Sequence, residues 1–158
     1  MKITLLVNYD PAAALALHYL TPQLAAHQLC VFYTHKKSPP SRPNALAQLA
    51  EFEALRLAQD TNIFEHLNAS CLNDINTKDF ERFASSEPDL VLSIRHMSIL
   101  KDPTIALARL GVINLHSGIL PDYKGVMATF WAMRNKASHI GTTLHWIDNA
   151  RIDQGAII

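Results

Sequence analysis

The chain has 158 residues, 49% of them apolar and 18% charged, and its 14 basic and 14 acidic side chains cancel. This balance excludes a disordered tail and lacks the basic footprint of a general nucleic-acid binder. The length suits one domain burying about two-thirds of its unfolded surface, and no apolar run approaches the roughly 20 residues that cross a bilayer.

Met1 to Val7 runs straight into apolar residues and is followed by Asn8-Tyr9-Asp10-Pro11, with no small-residue cleavage site. It reads as a first strand, Ile3 to Val7, and not as a signal peptide. Asp10 suits a helix N-cap and Pro11 its first turn, so Ala12 to Ala26 reads as helix, kinked or split at Thr21-Pro22. Leu29 to Tyr33 is a second strand. Ser38-Pro39-Pro40-Ser41-Arg42-Pro43 forbids helix and reads as an exposed loop. Asn44 to Gln59 is helical, with Leu46, Leu49, Phe52 and Leu55 or Arg56 at three- and four-residue spacing. Asp60 to Asn76 lacks clean periodicity and is assigned a short strand or irregular structure. Thr77 to Ser85 is a short helix capped by Asn76 or Thr77, and Pro88-Asp89 is a turn. Leu90 to Ile94 is a buried strand, Lys101-Asp102-Pro103 opens a helix, and Gly111 to His116 is a strand ending in polar residues. Thr129 to Asn135 is helical and Thr142 to Ile147 a strand. Cys30 and Cys71 are far apart without a CxxC motif, so they read as buried free thiols in a cytoplasmic protein.

Strands alternating with helices predict an α/β fold, a mainly parallel sheet with helices on both faces. Ligands bind such sheets at the carboxyl ends of strands, where Asn114 and His116 fall. Two residues apart on a strand, these side chains share one face. An amide can donate to a developing oxyanion, and an imidazole can move a proton near neutral pH. Together they suit attack on a carbonyl. Ser117-Gly118 and Pro121 to Gly125 form a loop that could close beside them. Asp148 and Asp153 flank a later loop, and a carboxylate from it could orient His116. His145, in an apolar strand, reads as a packed or partly exposed histidine. His18, His27, His35, His66, His96 and His139 show no metal-ligand spacing, so no metal is expected.

The string Asn-x-His-x-x-x-Leu-Pro-x-x-x-Gly from Asn114, then Gly-x-Thr-x-His from Gly141 and Asp-x-Gly-x-Ile-Ile from Asp153, resembles the N-terminal catalytic domain of 10-formyltetrahydrofolate-dependent formyltransferases. The resemblance runs from the first strand and is strong from Pro88 to Ile158. It implies a Rossmann-like formyltransferase fold and direct acyl transfer from the co-substrate 10-formyltetrahydrofolate to an amine. Asn114, His116 and Asp153 match the family's catalytic Asn, His and Asp. Asp153 is preferred to Asp148 because it directly precedes Gln154-Gly155. The folate is expected against Met97, Ser98, Ile99 and Leu100, with Ile147 and Asp148 opening the opposite wall. Ser117, Gly118, Tyr123, Lys124 and Gly125 are expected in a substrate loop. One catalytic domain is expected over 1–158. The apolar ending Gly155-Ala156-Ile157-Ile158 implies that it is truncated, because this run continues in the family.

The acceptor divides the family. Glycinamide ribonucleotide formyltransferases carry a glycine-rich phosphate cradle after the first strand. Here Asn8-Tyr9-Asp10-Pro11-Ala12 has no glycine, loses one N–H and places a carboxylate there. The stretch from Asn114 to Phe130, with Ser93-Ile94-Arg95 upstream, most resembles enzymes that N-formylate nucleotide-linked amino sugars. Methionyl-tRNA formyltransferase is the alternative, along with a catalytically silent folate- or nucleotide-binding domain. A small-molecule amine is the expected partner, with tRNA as the alternative and no membrane association.

Overall fold

The computed structural model describes residues 1–35, 47–60 and 62–158. The expected proline-rich loop at 38–43 and the start of the helix expected from Asn44 lie outside them. In chain order the elements are β1 (Lys2–Asn8), α1 (Pro11–Gln23), β2 (Gln28–Thr34), α2 (Ala47–Asp60), α3 (Asn62–His66), β3 (Ser70–Cys71), α4 (Phe80–Ala84), β4 (Leu90–Ile94), α5 (Asp102–Ile105), β5 (Val112–His116), α6 (Ala128–Arg134) and β6 (Thr143–Trp146). They form one sheet of order β3-β2-β1-β4-β5-β6. Its pairs are parallel except β5 with β6.

The apolar run of β1 is explained by its central place. Ile3, Leu5 and Val7 pack against Ala13, Ala14 and Leu17 of α1 and Ile63 and Phe64 of α3. Leu6 turns the other way, toward Phe32, Phe83 of α4 and Val91. Alternation along one strand thus feeds a core on each face of the sheet.

Asp10 caps α1 as its position implied, its carboxylate accepting from the Ala13 N–H at 2.8 Å, with Pro11 at the first helical position. It does more than cap. Arg95, just past β4, donates from Nε and Nη2 to the same carboxylate at 2.9–3.1 Å, and Asn8 Nδ2 donates at 2.8 Å. This side chain therefore ties the carboxyl ends of β1 and β4 together, where the chain direction across the sheet reverses. We expect Asp10→Ala to cost about 1–2 kcal/mol, mostly through the lost cap. The check is a lower denaturant midpoint at unchanged slope.

Several expectations are corrected. Pro22 neither splits α1 nor leaves it running to Ala26: the helix ends at Gln23, and the Leu24 N–H closes it onto Leu20 O. Pro22 lacks the N–H that would reach the His18 carbonyl, and the helix stops one residue later. The segment after Asp60 holds the expected short strand, the two-residue β3, but opens with a helix, α3, that its spacing does not predict. The helix expected from Thr77 starts at Phe80, after Asp79, which makes no side-chain capping bond. Asn76 caps nothing; its Nδ2 donates to Ile99 O, and its Oδ1 accepts from Lys101 N and Thr104 Oγ1, at 2.8–2.9 Å. It anchors the segment leading into α5. The helical spacing of Leu49, Phe52 and Leu55 is realised in α2, but all three stay exposed. Cys30 and Cys71 are free and half-buried, and burial pushes the Cys30 thiol up, away from the reactive thiolate. No described helix is long and apolar enough to cross a membrane.

Candidate active site

The site is built on the antiparallel pair of β5 and β6. Across β5 and β6, Asn114 faces His145 and His116 faces Thr143. Strand alternation then puts Asn114, His116, Thr143 and His145 on one face, two from each strand. This explains both motifs at once: Asn-x-His and Thr-x-His are the two halves of one cross-strand patch. Thr143 braces the turn after β5, its hydroxyl donating to Gly118 O at 2.7 Å and accepting from the Leu120 N–H at 3.0 Å.

A third element brings a carboxylate onto this patch. Asp153 sits at φ +50°, in the left-handed region that aspartate tolerates better than most residues. Its Oδ2 accepts from the Gly125 N–H at 2.7 Å, so the loop after β5 and the turn after β6 meet at this oxygen. The same Oδ2 lies 3.4 Å from His116 Nδ1, and Oδ1 lies 3.4 Å from His145 Nε2. The carboxylate stands between two buried imidazoles. Asn114 Nδ2 is 3.1 Å from His145 Nε2. The other nitrogen of each ring meets a backbone carbonyl: His116 Nε2 is 2.6 Å from Tyr123 O, and His145 Nδ1 is 2.8 Å from Trp146 O.

Gly118 permits the first of these contacts. A Cβ there would lie 2.5 Å from Ala128 Cβ, 2.7 Å from Tyr123 O and 2.9 Å from His116 Nε2. Any side chain would push the Tyr123 carbonyl off the imidazole.

The patch opens into a cleft of about 780 Å³, a size usual for small-molecule sites. Met97, Ser98 and Ile99, after β4, line one side, with Leu100 buried at its base. Ile147 and the turn from Asn149 to Asp153 line the other. Ser93, opposite Asn114 on β4, lies on the cleft as well. A largely apolar cleft with the Asn114, His116 and Asp153 cluster on its lining suits a flat ring system carrying a reactive carbonyl.

The structure brings Asn114, His116 and Asp153 together, and places Met97, Ser98, Ile99, Leu100 and Ile147 on the cleft. Asp148 is not on the lining, which passes from Ile147 to Asn149; its carboxylate lies toward Gly155 instead. Of the expected substrate loop, Ser117 and Gly125 face the cleft. Gly118 and Tyr123 stand behind His116, and Lys124 is exposed outside the lining. His145, read as a packed or partly exposed histidine, is 1% exposed and belongs to the cluster. Its signal was the two-residue step from Thr143, which matches the step from Asn114 to His116.

Residues 12–158 match the family model described as "Formyl transferase". A GDP-perosamine N-formyltransferase from Brucella melitensis is 33% identical over 84 residues, 52% of this chain and 32% of the relative. A sugar N-formyltransferase from Shewanella sp has a TM-score of 0.65 at 19% identity, over all of this chain and 55% of that one. A phosphoribosylglycinamide formyltransferase from Bacillus halodurans gives 0.68 at 15%, covering all of this chain and 77% of that one. A sugar 3N-formyl transferase determined in the presence of dTDP and 5-N-formyl-THF gives 0.62 at 19%, over all of this chain and 50% of that one. The chain spans about a third of the curated relative and about half of each sugar formyltransferase, and at these identities the structural likenesses establish the fold. With the family model matched from residue 12 to residue 158, the chain belongs to the formyl transferase family.

Proposed function

We propose that this chain transfers a formyl group from 10-formyltetrahydrofolate to the primary amine of a nucleotide-linked amino sugar, with Asn114, His116 and Asp153 as catalytic residues. The observation that carries the reading is the Asn114–His145–Asp153–His116 cluster at the polar end of an apolar cleft. The co-substrate supplies a formyl carbon on a nitrogen that departs as an amine. Met97 and Ile99 offer one face to its ring and Ile152 the other. As the acceptor amine adds to the formyl carbon, the carbonyl electrons move onto oxygen. An Asn114 Nδ2 hydrogen donates to that oxyanion, and His116, when protonated, stabilises it by charge alone, since its Nε2 faces Tyr123 O and its Nδ1 faces Asp153. Collapse expels the folate nitrogen. His116, Asp153 or an ordered water carries the proton from the attacking amine to it.

Three features support the amino-sugar acceptor. The curated relative is named for a nucleotide-linked sugar, and sugar formyltransferases are among the structural likenesses. The turn after β1, where a phosphate cradle would lie, is instead closed by the Asp10–Arg95 pair. The absorbance change of formyl release should be followed with amino-sugar nucleotides, glycinamide ribonucleotide and aminoacylated initiator tRNA in parallel. Turnover is expected with an amino-sugar nucleotide. Turnover with tRNA or glycinamide ribonucleotide alone overturns the acceptor. Folate binding without turnover on any acceptor overturns the activity.

A further inference from the structure

We infer that His145 is a positioning residue: held in one tautomer by the Trp146 carbonyl, it turns the Asn114 amide so that nitrogen faces the reaction. The inference rests on the formyl-transfer reading for its kinetic consequence, but not for its geometry.

A carbonyl oxygen only accepts, so the 2.8 Å contact between His145 Nδ1 and Trp146 O places a hydrogen on Nδ1. A neutral ring then has a bare lone pair on Nε2. The partner 3.1 Å from that lone pair must donate, and the side chain there is the Asn114 amide. An asparagine amide is nearly symmetric in shape, and a half-turn exchanges its oxygen for its nitrogen. Turned the other way, Asn114 would set Oδ1 against the Nε2 lone pair, two acceptors with no hydrogen between them. The imidazole thus selects the orientation in which Nδ2 lies toward His145. One Nδ2 hydrogen is spent on the ring and the second remains to donate into the cleft, where Asn114 is a lining residue.

The surroundings hold the neutral ring in this one arrangement. His145 is 1% exposed and lies directly across from Asn114 in the strand register. The opposite tautomer would aim a lone pair at the Trp146 carbonyl and an N–H at the Asn114 amide nitrogen. The nearby Asp153 Oδ1, at 3.4 Å, is longer than a good charge-assisted hydrogen bond, whereas the Asn114 contact is within ordinary range.

The test has a spectroscopic arm and a kinetic one. In the purified protein, nitrogen-15 NMR of the imidazoles should show His145 as the Nδ1–H tautomer, with the Asn114 side-chain amide protected from exchange. In His145→Gln, whose side-chain carbonyl can accept in place of Nε2, that protection should partly persist. In His145→Leu it should be lost. An Nε2–H tautomer, a ring protonated on both nitrogens, or an Asn114 amide indifferent to both substitutions overturns the inference even if the protein proves to catalyse nothing. In the kinetic arm, His145→Leu should lower kcat about 10²-fold, the usual cost of losing one oxyanion donor, at little changed KM. His145→Gln should recover part of it. Added to Asn114→Ala, His145→Leu should cost almost nothing more, because it acts through the group already removed. Additive losses would make His145 a packing residue instead. Should His145→Leu fail to fold, the tautomer in the unmodified protein and the cycle built with His145→Gln still decide the matter.

Discussion

His116→Ala should lower formyl turnover by about 10²–10⁴-fold, the range for losing a positioned acid–base group. Folate affinity should hold, because Met97, Ile99 and Ile152 lie on other segments of the cleft. The fold should hold as well, at a cost of about 1–3 kcal/mol, because the Tyr123 carbonyl loses its partner at 2.6 Å. Asp153 gives a sharper companion test. Asp153→Asn keeps an oxygen for the Gly125 N–H but removes the charge between the two imidazoles. If Asp153 serves the proton transfers, this variant should approach Asp153→Ala in lost turnover while keeping more stability. If it only anchors the loop, it should turn over almost normally. Steady-state kinetics on both variants, with denaturation curves alongside, separate the two outcomes. Near-normal turnover in His116→Ala would remove the catalytic assignment altogether.

How much of this could be read from residues alone depended on the range of the interaction involved. Local signals survived. The apolar runs at β1 and β4, the Asp10-Pro11 start of α1 and the alternation that aligns Asn114 with His116 are decided within a few residues. The motif resemblance then singled out Asp153 over Asp148, a choice that spacing alone left open. What escaped were pairings between distant segments. A short strand is expected between Asp60 and Asn76, but its place is fixed only by Phe32 and Tyr33, which offer an edge to Ser70 and Cys71. Asn76 looks like a cap, yet its amide is consumed by the segment carrying Ile99 and Lys101. Asp10 and Arg95 are 85 residues apart and meet only because β1 and β4 are neighbours. His145 was the costliest of these. Its alternation with Thr143 was visible, but periodicity gives a face and not a partner. The antiparallel register sets it opposite Asn114, and no local rule predicts a register between strands joined by a long connection.

Gly155→Ala should damage fold and turnover together, though Gly155 is none of the proposed catalytic groups. A Cβ at this position would stand 1.8 Å from Trp146 O and 2.7 Å from Trp146 C, so backbone must move. No rotamer change relieves a clash with a carbonyl. The displaced group is the one that receives His145 Nδ1–H, and the Trp146 N–H pairs back to Ala156 O at 2.9 Å. Moving it therefore loosens the return of the chain along β6 and frees the His145 ring together. Asp153, two residues earlier and held at φ +50°, would shift with the turn. We expect a stability loss above about 2 kcal/mol, within the range for strain at a position that tolerates no side chain. Turnover should fall by at least as much as in His145→Leu. The Asp-x-Gly spacing then has a physical reading: aspartate at the first place for the cluster, glycine at the third so that the strand can pass. Thermal denaturation and kinetics on Gly155→Ala, beside Gly125→Ala as a control, check it. Gly125 is at φ +77° with open space where a Cβ would go, so it probes backbone strain without the clash. A Gly155→Ala protein as stable and active as the unmodified chain would show that the β6 turn does not approach Trp146 this closely, and would remove the support for the His145 tautomer with it.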